Sequence, residues 1–155
     1  MSIEDLDGRI VLTSVTETIN APANEIWPFL SAIGAERILI PGCTRSAVLE
    51  GYGQGAVRRV YFGETYFDER IVVCDHNAFK LQYEVLEPSP SPAMEVLAAV
   101  QLHPSGPEET IVTWISGARR VEQQHEDSIK QQAVGFCHGQ IASLRRLTQN
   151  TKPSS

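Results

Sequence analysis

Residues 53–86, GQGAVRRVYFGETYFDERIVVCDHNAFKLQYEVL, decide the fold. They read as three consecutive strands rich in β-branched and aromatic residues, with Gly63-Glu64 and Asp75-His76-Asn77 supplying the turns. Alternate side chains of an extended chain face opposite ways. Phe67, Glu69, Ile71 and Val73 therefore share one side, and Asp68, Arg70 and Val72 the other. A carboxylate among Phe, Ile and Val on a core-facing side is costly unless something partners it. The pattern suggests a sheet wrapped around a cavity, with polar groups set inside to meet a small molecule.

Outward from this stretch the same signals recur. Strands are predicted over 9–19, 45–50, 56–62, 65–74, 79–86, 94–103 and 110–116. After the first strand, Pro22 suits the opening turn of a helix over 23–33, with Ile26, Phe29, Leu30 and Ile33 on one stripe. Pro28 is tolerated there only if that helix starts late, near Asn24. Gly34 ends it, and 35–39 form a second short helix before Pro41-Gly42. The proline-rich run 88–92 reads as a rigid loop between strands, and Ser105-Gly106-Pro107 turns the last pair.

A long helix over 122–148 closes the chain, with Ile129, Ala133, Phe136, Cys137, Ile141 and Leu144 at helical spacing. Residues 149–155 read as a frayed tail. The order is α+β: a curved antiparallel seven-stranded sheet with two short helices after its first strand, covered by a long C-terminal helix. A sheet gripping one helix leaves a cleft suited to an apolar ligand.

The 155 residues suffice for one domain with a single core, and 42% apolar content is ordinary for a globular chain. The net charge of −6 argues against nucleic acid or an anionic membrane surface as the main partner. The acidic opening MSIEDLDG is unlike a secretory signal, and no run reaches a membrane span of roughly 20 apolar residues. Cys43, Cys74 and Cys137 are odd in number and widely spaced, so they are expected to be free thiols of a cytoplasmic protein. A homodimer is compatible with these numbers but not required by them.

The element order, together with GQGAVRRVYF, the ERIVVCD segment and YEVLEPSPSP, resembles the START-like superfamily. That is the helix-grip fold shared by the birch pollen allergen type, the plant abscisic-acid receptors, and the polyketide cyclase/dehydrase and lipid-transport family. Pro22 with Trp27, Gly55 with Arg58, Glu69, Asp75, Tyr83 and Thr113-Trp114 carry the resemblance, which spans about residues 11–147. By position it implies that Arg58, Val60 and Phe62 face inward, then Phe67, Glu69 and Ile71, then Leu81, Tyr83 and Val85. Val96, Ala98, Val100 and Trp114 would follow, with Gln132, Phe136 and Gln140 closing the cavity from the last helix. Gly63-Glu64 is too short for the gate loop of the hormone receptors, so a receptor reading is set aside.

Glu69, Arg58 and Tyr83 are the candidate catalytic residues. Buried alone, Glu69 would serve as acid or base near neutral pH; if Arg58 reaches it, the two satisfy each other as a fixed ion pair. Tyr83 can offer a phenol to a carbonyl or enolate, or fill the sheet as an amphipathic aromatic. Trp114 is expected as a cavity wall and Trp27 as a packing residue. Either Cys137 or His138 could line the cavity, but they stand about 100° apart on the helix and do not make a nucleophile pair. Cys74 and His76 lack a third ligand, so no metal is expected. His103 and His125 read as surface residues.

The stretch 51–56, GYGQGA, matches a loose dinucleotide pattern, but a strand follows it instead of a helix. No cofactor is expected. The resemblance implies a cofactor-free cyclase- or lyase-type enzyme of secondary metabolism, acting on a hydrophobic, polyketide-type carbonyl compound. The alternative is a non-catalytic carrier of a lipid-like metabolite, and a co-chaperone-like role has the least support.

Overall fold

A computed structural model describes residues 3–87 and 92–149. After a short 3₁₀ turn at Ile3–Leu6 come β1 (Ile10–Ile19), α1 (Ala23–Ser31), α2 (Glu36–Leu39), β2 (Arg45–Glu50), β3 (Val57–Phe62), β4 (Thr65–Asp75) and β5 (Lys80–Glu87). Two residues, Ala93–Met94, make β6. Then follow β7 (Leu97–Gly106), β8 (Glu109–Ala118), a second two-residue strand β9 (Arg120–Val121), and α3 (Glu126–Thr148). Seven strands form one antiparallel sheet in the order β1-β8-β7-β5-β4-β3-β2, while β6 pairs with β9. This is the helix-grip α+β architecture. Among the described residues no helix is long and apolar enough to cross a membrane.

Three elements differ from the sequence expectation. The first helix begins at Ala23 with Pro22 as its cap, so Pro28 lies inside it. Lacking an N–H, Pro28 leaves the Asn24 carbonyl without its usual i+4 donor, and the helix stops at Ser31, short of 33. Its buried stripe is Ala23, Ile26, Trp27 and Leu30, with Phe29 and Ile33 only partly covered. The strand expected over 94–103 divides at Glu95, whose φ of +53° breaks the extended run and hands Met94 to β9. The last helix starts at Glu126, not 122, after a 3₁₀ turn at Gln123–His125.

Gly34 is confined to glycine twice over. Its φ is +101°, and a Cβ there would sit 2.8 Å from Val48 Cγ2. Gly51, Gly53 and Gly55, all at positive φ, build the connection from β2 to β3. Of the proline-rich loop, residues 88–91 lie outside the described residues, as do 150–155 of the expected tail. Gln149, where that tail was expected to begin, is docked: the Asn20 backbone N–H donates to Gln149 Oε1 at 2.7 Å.

The main core runs from Val15 and Ile19 through α1 to Val100, Val112, Trp114, Ile141 and Leu144, between the sheet and the helices. On the opposite side of the sheet, Leu6 of the N-terminal turn seals a small second cluster with Ala99 and Ile115. The long helix does not lie evenly on the sheet. Its second half is buried at Cys137, Gln140, Ile141, Ser143 and Leu144, whereas Ile129, Gln132, Ala133 and Phe136 of its first half border open space. A clamp holds the buried half. Glu17 on β1 meets His138 Nδ1 at 2.6 Å and Arg145 Nη1 at 2.9 Å, and Arg145 Nη2 donates to the Thr18 carbonyl at 2.9 Å. Burial alone would raise the Glu17 carboxyl pKa, but hydrogen bonds from His138 and Arg145 outweigh it and hold the group below its ordinary range.

Candidate functional site

Where α3 stands away from the sheet it encloses a cavity of roughly 370 Å³, within the range of small-molecule sites. Strand alternation supplies one wall: Arg58, Val60 and Phe62 from β3, Phe67 and Glu69 from β4, and Tyr83 and Val85 from β5. Val96, Ala98 and Trp114 continue it, and α3 closes it with Gln132, Phe136 and Gln140. Ile71, Leu81 and Val100, expected on the same wall, do not border this cavity; they are buried in the core. Each stands on the inward side but lies beneath neighbouring side chains, which alternation along a single strand cannot reveal.

Cys137 lines the cavity, as its place on the helix allowed, whereas His138 does not. Sequence reasoning passed over Leu12, Ile40, Met94, Ser116 and Ile129, which also line it. Ile129 belonged to the apolar helical stripe, so the signal was present but was assigned to the core. At the mouth, Phe62 stacks edge-on against Phe67 and Phe136, with ring centroids 5.9 and 5.6 Å apart. Phe136 is 44% exposed, a large apolar side chain at the entrance.

The polar centre sits at the inner end. Arg58 and Glu69 are directly opposite in the β3–β4 ladder, and Arg58 Nε donates to Glu69 Oε1 at 2.9 Å. The Arg58 guanidinium lies 4.6 Å over the Tyr83 ring. A second carboxylate, which no sequence pattern singles out, approaches from α2. Glu36 Oε2 is 3.4 Å from Arg58 Nη1, and both Glu36 oxygens accept the Gly34 backbone N–H, at 3.0 and 2.8 Å. Locally Ala35-Glu36-Arg37 reads as an exposed helical turn; only the placement of α2 against β3 buries Glu36.

Burial works against Arg58 keeping its proton, but the charges of Glu69 and Glu36 more than offset it and raise its pKa. Burial raises the Glu36 carboxyl above its ordinary range despite the guanidinium beside it. The Tyr83 hydroxyl is pushed well up, first by burial and then by the charge of Glu69, so it stays a donor at neutral pH. Burial also pushes the Cys137 thiol up to about 12, which makes it an unreactive wall group.

The remaining candidates disperse. His138 points to Glu17, away from Cys137. His76 Nδ1 accepts the Trp27 indole N–H at 2.9 Å, and its Nε2 lies 3.9 Å from Cys74 Sγ. Trp27 thus packs and also positions His76. Among the described residues no group of three His, Cys, Asp or Glu could hold a metal ion. Tyr61 and Tyr66 stand on the outer face with Arg59 and Arg45.

Solved structures share this fold at low identity. A protein from Bacillus thuringiensis superposes with a TM-score of 0.75 at 17% identity, covering 89% of this chain and 98% of that one. Ara h 8.0201 gives 0.74 at 17%, covering 89% and 97%. Truncated norcoclaurine synthase from Thalictrum flavum gives 0.71 at 14%, covering 90% and 94%. No curated protein matches the chain in sequence. A family model described as polyketide cyclase / dehydrase and lipid transport matches residues 11–147.

Proposed function

Because the chain belongs to the polyketide cyclase/dehydrase and lipid-transport family, we propose that it folds and cyclises a hydrophobic, polyketide-type carbonyl compound in this cavity. The supporting observation is the convergence of Glu69, Arg58 and Tyr83 on one end of an otherwise apolar enclosure. Arg58 holds Glu69 by Oε1; among the described residues Oε2 has no hydrogen-bond partner. That oxygen would take a proton from a methylene flanked by two carbonyls. The Tyr83 O–H and the Arg58 guanidinium would receive the enolate oxygen. The enolate carbon then attacks a second carbonyl of the same chain, and the proton returns from Glu69 to the new alkoxide. Loss of water from that aldol would complete a lyase-type step. Orientation in a dry cavity supplies much of the advantage, and no cofactor enters the scheme.

The test is Glu69→Gln with a short poly-β-keto thioester as substrate. Turnover is expected to fall about 10²- to 10⁴-fold while substrate affinity changes little. Undiminished turnover in the variant would remove Glu69 from the chemistry. A second reading, a carrier of a lipid-like metabolite, is favoured by the way Arg58 and its two carboxylates already satisfy one another. It expects no product from any such substrate, and a ligand identified by mass spectrometry on the purified protein would be unchanged on release.

A further inference from the structure

The charges at the inner end of the cavity are not balanced, and the imbalance bears on what can enter. Among the described residues Arg58 is the only cationic side chain on the cavity wall. Its guanidinium is shared between Glu69, at 2.9 Å, and Glu36, at 3.4 Å. All three side chains are buried. With both acids ionised the group carries one excess negative charge. With one acid protonated it is neutral, and burial moves Glu36 in that direction. Neither resting state leaves positive charge for an anionic ligand; Arg58 is released to face an enolate only after Glu69 has taken the substrate's proton. Glu95 adds a further carboxylate to the lining; the Arg9 guanidinium, outside the lining, donates to its backbone carbonyl at 2.7 Å.

A carboxylate on a ligand would lose its hydration on entering and find the one guanidinium already claimed by two acids. An uncharged or protonated-amine end meets no such penalty. Its O–H or N–H can donate to Glu69 Oε2, and a neutral carbonyl can accept from Tyr83. We propose that the cavity admits apolar molecules with an uncharged or cationic polar end and rejects free carboxylic acids. This rests on the reading of the cavity as a ligand site. It adds that a polyketide-type substrate arrives as a ketone, ester, thioester or amide, so an upstream acyl-activating or acyl-transfer reaction must supply it.

The test uses the wild-type protein and a neutral fluorescent probe, N-phenylnaphthylamine, displaced at neutral pH by decanol, decylamine or decanoate. Decanol and decylamine should displace the probe, with decanoate weaker by about tenfold or more. Decanoate competing as well as decanol overturns the charge selection while leaving the ligand site in place. Failure of the probe and of all three compounds to bind removes the ligand site itself, and this proposal with it. In Glu69→Gln, which leaves Arg58 with Glu36 as its one acid, the gap between decanol and decanoate should shrink by about threefold or more. A gap that persists unchanged in the folded variant overturns the assignment to the Glu36–Arg58–Glu69 group. The wild-type ranking decides the proposal even if that variant does not fold.

Discussion

Arg58 and Arg59 are neighbours on β3, and each faces a carboxylate across the ladder to β4, Glu69 for one and Asp68 for the other. Alternation sends the first pair into the cavity and the second to the outer face. The outer pair has the better geometry. Arg59 engages Asp68 through two nearly parallel bonds of 2.6 and 2.8 Å, and its guanidinium lies 4.0 Å over the Tyr66 ring. It is not the solvated charge that its outward position suggests, since Asp68 is buried beneath it. The inner pair has a single short contact, and its arginine side chain is 6% exposed against 27% for Arg59. Where desolvation is most costly, the pairing is the less complete. The inner pair leaves an oxygen open toward the cavity, the outer leaves none, and that is the difference between a site and a brace.

The largest test of this contrast is Arg58→Met. It strands two buried carboxylates and should lower unfolding stability by about 3–5 kcal/mol in denaturant titration. A loss below about 1 kcal/mol would mean that the inner charges are not coupled as described. Next comes Glu36→Gln. The folded protein holds the Glu36 proton more tightly than the unfolded chain does. As pH rises from the ordinary carboxylate range near 4.5, wild-type stability should therefore fall relative to the variant. Parallel stability curves from pH 4 to 8 would contradict the buried position of Glu36. The smallest effect is expected for Arg59→Met. Its melting temperature should drop by a fraction of the Arg58→Met loss, and N-phenylnaphthylamine affinity should stay within about twofold. Equal losses for the two variants would erase the distinction between the faces.

Much of the fold was legible in the sequence because strands announce themselves locally. The run 45–50 coincides with β2, and 65–74 falls one residue short of β4. The misreadings came where backbone conformation turned on one residue, as at Glu95, or where packing overrode a local rule, as at Pro28. The site was legible only by halves. Alternation set Glu69 among apolar neighbours, the family resemblance put Arg58 and Tyr83 on the same inner face, and all three border the cavity. Glu36 lies 22 residues before Arg58, on a helix of four residues, with no pattern to connect them.

The sequence by itself determined which side a residue occupies along the regular stretches of strand, because that follows from chirality and pleat within the chain. It did not show the register shift between Ile71 and Val73, after which Cys74 and not Val73 packs on the core side with Ile71. It determined too that three polar groups would share a face with apolar neighbours. Tertiary structure alone decided that α2 brings a second acid to Arg58. It also decided that α3 rests on the sheet through Cys137–Leu144 and stands clear at Ile129–Phe136, opening the cavity. Those outcomes depend on where whole elements come to rest. Many weak, non-local packing contacts set that together, and no short stretch of sequence encodes it.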